Sequence, residues 1–480
     1  MIRLTGCLLG LMAVAGVAAA VDPPKWPQFR GPNGSGVADG EKPPVEFGPE
    51  KNLKWKVPAP SGFSSPVIAG DKLFLTAFDD GKLFTVAYRT ADGKELWRTE
   101  APAKKIEAYH KTEGSPAASS VATDGKIVVS YFGSCGVFAY DLAGKQLWKY
   151  DLETAQTPAD FGTGVSPILA DGTVVLVRDT MKGSMILGLD ATDGSKKWET
   201  KRSSPSAFCT PVVWENDGKK EVVVAGYSKM VAYDLKTGDE TWSVAGMPSA
   251  SCASPMVADG FLYYAGWSPG DAEDKEFKFP TYDKLLEDGD VNKDGKISKA
   301  ESEKTFLAGF FDNNDTDKDG FLTREEWDAQ IKFMSAAKNS AFCVKAGGKG
   351  DVTKTHVVWK ATKGLPYVPS AVMYKGQMFL VKDGGLVTAY DAKTGKELYA
   401  NERGAAQGRY YASPVAANGH IYTVTLDDGT FTVFKAGEKE PEVVAKNPKL
   451  GERVAATPAI ADGTLYVRSG KHLWAFAEKK

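Results

Sequence analysis

Two stretches of this chain place oxygen-bearing side chains at fixed intervals within twelve residues. Asp290, Asn292 and Asp294 take positions 1, 3 and 5 of the first stretch, with Ser298 at position 9 and Glu301 at position 12. Asp315, Asp317, Asp319, Thr323 and Glu326 repeat the arrangement in the second. Position 6 is Gly295 or Gly320, where the loop must bend sharply. Position 7, Lys296 or Phe321, offers only its backbone carbonyl, so its side chain is unconstrained. A hard cation that takes roughly six to eight oxygens suits this donor set, and two calcium ions are expected. The second stretch has four acidic ligands against three in the first, so it is expected to bind more tightly.

These spacings are the EF-hand loop pattern, met twice without a mismatch. Ile297 and Leu322, at position 8 of each loop, are predicted to pair across a short two-stranded contact. Leu285, Leu286, Phe306, Leu307, Phe310 and Phe311 before the second loop, and Trp327 and Phe333 after it, give apolar faces to flanking helices. Only Ser302 to Asn314 separate the loops, so the spacing predicts one shared helix rather than two long ones. An acidic surface loop could match once by chance. Two complete matches argue against that.

The loops must be carried by a scaffold, and the scaffold is repetitive. A Ser/Thr-Pro-apolar step recurs at Ser65-Pro66, Ser119-Ser120, Ser166-Pro167, Thr210-Pro211, Ser254-Pro255, Ser370-Ala371, Ser413-Pro414 and Thr457-Pro458. Seven intervals mean eight repeats. One interval is 116 residues where most are about 44, so roughly 70 residues are inserted there, and the two loops fall inside them. After the step comes a turn, six times Asp-Gly or Asn-Gly, then an apolar strand. That pair tolerates the positive φ of a tight hairpin. Four short strands in about 44 residues make one propeller blade.

A second column fixes the register. Ala232 to Trp242 shares its pattern with Ala87 to Trp97, Gly188 to Trp198 and Ala389 to Tyr399, and Ala139 to Trp148 matches with one residue fewer. The small first residue leaves room where blades converge, and the terminal Trp is expected to pack flat on the neighbouring blade. The last repeat ends too early for an outer strand. Asn52 to Val57, with Trp55 in the Trp column, is predicted to supply it and close the ring. The expected fold is all-β: an eight-bladed β-propeller of four-stranded blades with a small α-helical insert in blade five. The predicted division is a signal peptide over 1–20, an extension over 21–51, propeller over 52–269, the insert over 270–339, and propeller again over 340–480.

This motif resembles the tryptophan-docking motif of propellers with pyrroloquinoline-quinone-type repeats. That superfamily includes quinoprotein dehydrogenases and the non-enzymatic outer-membrane assembly factor BamB. The opening Trp26-Pro27-Gln28-Phe29-Arg30-Gly31-Pro32-Asn33-Gly34 resembles the start of many exported members. The resemblance covers nearly all of the mature chain except the insert. It implies the fold, and does not by itself imply an activity.

Arg3, the apolar run Leu8 to Ala19 and Ala18-Ala19-Ala20 read as an export signal with its cleavage site, so a periplasmic or extracellular location is expected. No other stretch is apolar enough to span a membrane. The formal net charge is −2 with charges interspersed, which argues against nucleic acid as a partner. A monomer is expected. Cys135, Cys209, Cys252 and Cys343 have no metal-type spacing. Cys209 and Cys252 lie just before the step in adjacent repeats, so a disulfide between them is one possibility. Cys343 falls in the small-residue column.

Loops that join one blade to the next share a face with the middle hairpins. On that face the sequence places Tyr109, His110 and Lys111, Lys363 with Tyr367, Lys382, and Arg409 with Tyr410 and Tyr411. Basic and aromatic groups there suit a small anionic or sugar-like ligand, although the same residues also fit ordinary loop packing. No GxSxG, HExxH, phosphate loop or dinucleotide fingerprint is present. The expected function is a non-catalytic binding or assembly module of the cell envelope with an envelope protein or small ligand as partner. The alternative is a dehydrogenase using pyrroloquinoline quinone and calcium. Against it, the chain lacks the adjacent-cysteine pair that quinoprotein alcohol dehydrogenases carry at the cofactor. The insert is expected on the ligand face, where calcium would control access.

Overall fold

A computed structural model describes residues 23–206, 208–269, 278–307, 311–335, 338–437 and 439–479; the predicted signal peptide, Phe310 and the side chain of Phe333 lie outside what it describes. Eight sheets stand around one axis. Blade one is Val67–Ala69, Lys72–Asp79, Lys82–Arg89 and Glu95–Ala101, each strand antiparallel to the one before. Blades two to seven repeat this order. The eighth has three strands of its own, Ala459–Ala461, Thr464–Arg468 and His472–Ala477. Leu53–Pro58 completes it, with Trp55 opposite Ala475. The N-terminal strand thus removes the open edge that the last blade would present. Gly350–Asp351 adds a parallel fifth strand to blade four.

Eight hydrogen bonds run in a closed circle around the axis, and they explain the Ser/Thr step. The N–H of Ser65 donates to the Ser120 hydroxyl at 2.8 Å, Ser120 to Ser166, Ser166 to Thr210, and Thr210 to Ser254. Ser254 donates to Ser370, Ser370 to Ser413, Ser413 to Thr457, and Thr457 back to Ser65 at 2.9 Å. The step in blade two therefore begins at Ser120, one residue later than the Ser119 alignment. Val121 stands where six of the other blades have proline, and without the proline the register could be read either way.

The tryptophans join neighbouring blades. The indole N–H of Trp97 donates to the Leu142 carbonyl, Trp148 to Ala191, Trp198 to Leu235, and Trp359 to Ala392, at 2.8–3.1 Å. Trp55 on the closing strand does the same to Thr90 of blade one. Each ring lies under a left-handed turn glycine of the next blade. A Cβ on Gly93, Gly144, Gly194, Gly238 or Gly395 would come within 2.8 Å of it.

The extension crosses the lower channel and makes its floor. Trp26 bridges Ile68 of blade one, and the Thr123 N–H of blade two donates to Pro27. Arg30 reaches the Ala371 carbonyl of blade six. Asn33 exchanges two hydrogen bonds with Val213 of blade four, at 2.7 and 2.9 Å.

The insert leaves blade five between Phe261–Gly266 and Ser340–Val344, which pair directly. It thus replaces the middle hairpin. Its helices are α1 (Tyr282–Gly289), α2 (Lys299–Ser302), α3 (Phe311–Asn314) and α4 (Arg324–Ser335). Ile297 pairs with Leu322 as expected. The shared helix does not form. Between the loops α2 stops at Ser302, residues 303–307 turn, and α3 is a separate short piece. The break lets Leu307 and Phe311 both reach a small core with Tyr282, Leu285, Ile297, Leu322 and Trp327. The four cysteines outside the predicted signal peptide are free. Cys209 does not bond Cys252; its thiol donates to the Ala225 carbonyl.

Candidate functional site

A cavity of about 450 Å³ lies on the axis above the hydrogen-bonded circle. This is within the range of small-molecule clefts. Its wall is one column of the repeat. The residue two before each circle hydroxyl lines it in all eight blades: Phe63, Ala118, Gly164, Phe208, Cys252, Val368, Tyr411 and Ala455. Residues i and i+2 of an extended segment face the same side, so the hydroxyl and its upstream neighbour point inward together. Phe161 and Tyr367 widen the aromatic wall, and Phe29 of the extension lies at its base.

Among the described residues lining the cavity, Glu113 is the one that carries a charge. The Tyr411 hydroxyl donates to it, Arg453 pairs with it at 3.1 Å and Arg409 at 3.3 Å. Burial works to raise the Glu113 carboxyl, but these partners outweigh it and hold it below the usual range. The cluster joins the loop after blade one to those after blades six and seven. The wall therefore gains a fixed, already paired carboxylate.

Of the nine residues predicted for the ligand face, Tyr367 and Tyr411 line the cavity and the other seven do not. His110 stacks on Phe161 with centroids 5.7 Å apart, and Arg409 reaches Glu113, so both sit one contact away. Arg409 also pairs with Asp427 at 2.7 Å. Tyr109 packs edge-on to Phe78. Lys111 is exposed, and Lys363 pairs with Glu397 at 2.9 Å. Lys382 ends its strand half-buried. Tyr410 is buried and its hydroxyl donates to the Ala406 carbonyl. Apart from Tyr367 and Tyr411, the wall was missed. The signal for it was present, two places upstream of each Ser or Thr step.

In the second EF-hand loop, carboxylate oxygens of Asp315, Asp317 and Glu326 lie within 4.8 Å of one another. Three like charges so close repel unless a cation sits among them. The Asp319 and Gly320 N–H groups donate to Asp315, which fixes its carboxylate inward. Glu326 accepts from the N–H and hydroxyl of both Thr316 and Thr323. Burial would raise its carboxyl, but these donors bring it down to about 2. The Ser298 hydroxyl and N–H do the same to Glu301, also to about 2. In the first loop the Asp294 and Gly295 N–H groups donate to Asp290 in the same way. The donor set fits a calcium ion: hard oxygens, ionised, on loops already bent.

Pyrroloquinoline quinone is a tricarboxylate, and among the described residues the wall of the cavity offers it no unpaired cation. The charged residue lining the cavity is itself an acid, and the arginines behind it are already paired.

The insert touches the surroundings of the cavity on two sides. At its root the Trp267 N–H donates to the Pro366 carbonyl, and the indole packs edge-on to the lining residue Tyr367. On the far side α3 lies against the 3₁₀ turn Pro158–Asp160, whose Pro158 also lines the cavity. No helix among the described residues is long and apolar enough to cross a membrane.

Comparison with known proteins agrees with this architecture. A family model described as outer membrane protein assembly factor BamB matches residues 84–266 and 350–479, and an EF hand model matches 283–304 and 307–332. The assembly factor BamB of Nitrosomonas eutropha is 28% identical over 181 residues, 35% of this chain and 38% of that one. That of Burkholderia pseudomallei is 27% identical over 180 residues, 37% of this chain and 41% of its own length. The matched stretch thus spans about two fifths of these curated relatives. The crystal structure of BamB from Moraxella catarrhalis superposes with a TM-score of 0.54 at 14% identity, over 88% of this chain and 98% of that one. Quinohemoprotein alcohol dehydrogenase from Comamonas testosteroni gives 0.52 at 13% identity, over 97% and 82%. At such identities these two show a shared fold. Matched on both sides of its insert, the chain belongs to the propeller family described as outer membrane protein assembly factor BamB, and its insert to the EF hands.

Proposed function

We propose that this chain is an exported calcium-binding propeller that serves the cell envelope as a binding or assembly module, rather than a dehydrogenase. The axial cavity is its ligand site, and the calcium-loaded insert controls entry. The observation that carries this reading is the placement of the insert, rooted at Tyr367 and reaching the turn at Pro158. A cation drawing Asp315, Asp317 and Glu326 together would order the lobe that spans the opening. The named role of the relatives supports an envelope partner, and the apolar wall supports a ligand-binding rather than a redox channel.

Cys252 makes this testable with a native thiol as the probe. It lines the cavity and is half-buried, whereas Cys135, Cys209 and Cys343 are buried. Calcium is expected to slow alkylation of Cys252 by about fivefold or more, the lower end of coupling between two sites. Glu326→Gln should abolish the protection. Calcium binding seen by calorimetry with no change in the alkylation rate would rule out control of entry.

A further inference from the structure

We infer that the floor of the axial cavity binds a single anionic group, seated between Arg30 and the hydroxyls of the circle. This refines the reading of the cavity as a ligand site and rests on it.

The first observation is a surplus of donors. Each hydroxyl of the circle accepts one N–H, and among the described residues its own proton has no acceptor. Ser65, Ser166, Ser370, Ser413 and Thr457 line the cavity, and each is at most 3% exposed. The second observation is a buried charge. Arg30 is 0% exposed, and its Nη2 meets the carbonyls of Ala371 and Ser35. Its Nε and Nη1 have no partner. Among the described residues no carboxylate pairs with it. A buried cation without a counter-charge is strongly unfavourable.

The two observations meet at one place. Ala371 follows Ser370 in the circle. A Cβ on Gly36 would lie 3.2 Å from Arg30 Nη2 and 3.3 Å from the carbonyl of Pro414, which follows Ser413. The guanidinium therefore sits beside two adjacent steps of the circle. Its neighbour Phe29 lines the cavity. The unspent groups of Arg30 and of the circle are all donors, and the Arg30 charge is unpaired, whereas Glu113 in the cavity wall already has its partners. Water or a neutral polyol would fill the hydrogen bonds but leave the charge. One anion answers both, and three carboxylates would exceed one cation. The anion is either inorganic or the carboxylate of a ligand whose apolar body lies on Phe161, Phe208 and Tyr367.

The test uses the full mature chain in halide-free buffer, with bromide, benzoate and the uncharged benzamide as probes. Bromide and benzoate should each raise Tm saturably, and benzamide should not. Arg30→Gln should weaken both anions at least tenfold. Wild-type crystals grown in bromide should show an anomalous peak within hydrogen-bond reach of Arg30 Nη1, a result that does not depend on the variant folding. Loss of that peak on adding benzoate assigns the floor to a ligand carboxylate; its persistence assigns it to an inorganic anion. Melts indifferent to both anions with no bromide peak overturn the inference. So does benzamide binding as tightly as benzoate. Either failure leaves the calcium protection of Cys252 as a separate result.

Discussion

The propeller and its inserted lobe both need left-handed glycines, but for different reasons. In the blades, Gly194 has φ +75 and its hydrogen faces the Trp148 ring, where a Cβ would sit 2.6 Å away. In the lobe, Gly295 has φ +78 with nothing within 4 Å. The blade glycine serves close packing between neighbours, and the lobe glycine serves only the bend of a loop. The same contrast holds for cohesion. The propeller is held by a circle of hydrogen bonds and docked indoles that are complete in the polypeptide. Among its described residues the lobe has a core of seven buried side chains and, in its second loop, a cluster of like charges that only an added cation reconciles.

The largest expected difference comes from deletion. Removing residues 52–57 opens the eighth blade and takes away Trp55, so no cooperative thermal melt should remain. Removing 270–338 and rejoining the hairpin should leave the propeller melt in place. Similar melts for the two deletions would break the distinction between scaffold and insert.

A titration should also belong to the propeller alone. Burial pushes the Glu107 carboxyl up to about 7, against a hydrogen bond from Thr163 that lowers it. The folded state then holds this proton more tightly than the unfolded chain. Its contribution is complete below the ordinary value of 4.5 and is lost as pH rises to about 7. The loss is of order 3 kcal/mol. Denaturant melts across that window should show the decline, and Glu107→Gln should flatten it.

Glycine substitutions sharpen the comparison at smaller scale. Gly194→Ala should destabilise by about 2–3 kcal/mol, because it adds overpacking to the left-handed penalty. Gly295→Ala should lose only about 1 kcal/mol, the penalty alone. Equal losses in denaturant melts would mean that indole docking contributes little. In the lobe itself, calorimetry should find two calcium sites between about 10⁻⁶ and 10⁻³ M. The one lost in Glu326→Gln should be the tighter.

What the sequence disclosed follows from how each feature is encoded. The blades, the docking column, the closing strand and the calcium loops are local patterns of a few residues, and they read directly. The shared helix failed because thirteen residues can be helical by spacing yet be broken by what Leu307 and Phe311 must reach. The cavity was harder still. Glu113, Tyr411 and Arg453 come from loops some 300 residues apart, and only ring closure makes them neighbours. Arg30 and Asn33 lie in a segment without periodicity, so nothing in it announced a floor.

The last bond of the circle joins Thr457 to Ser65 across 392 residues, and it has a consequence for how the chain is made. A segment emerging during synthesis has no finished ring to join. Its first closing strand must wait, unpaired, for the final three strands to arrive. Folding of such high contact order is slow, and unpaired edges meanwhile invite association with other chains. The molecule is therefore assembled like a clasp, and a truncation near Lys471 would leave that clasp open.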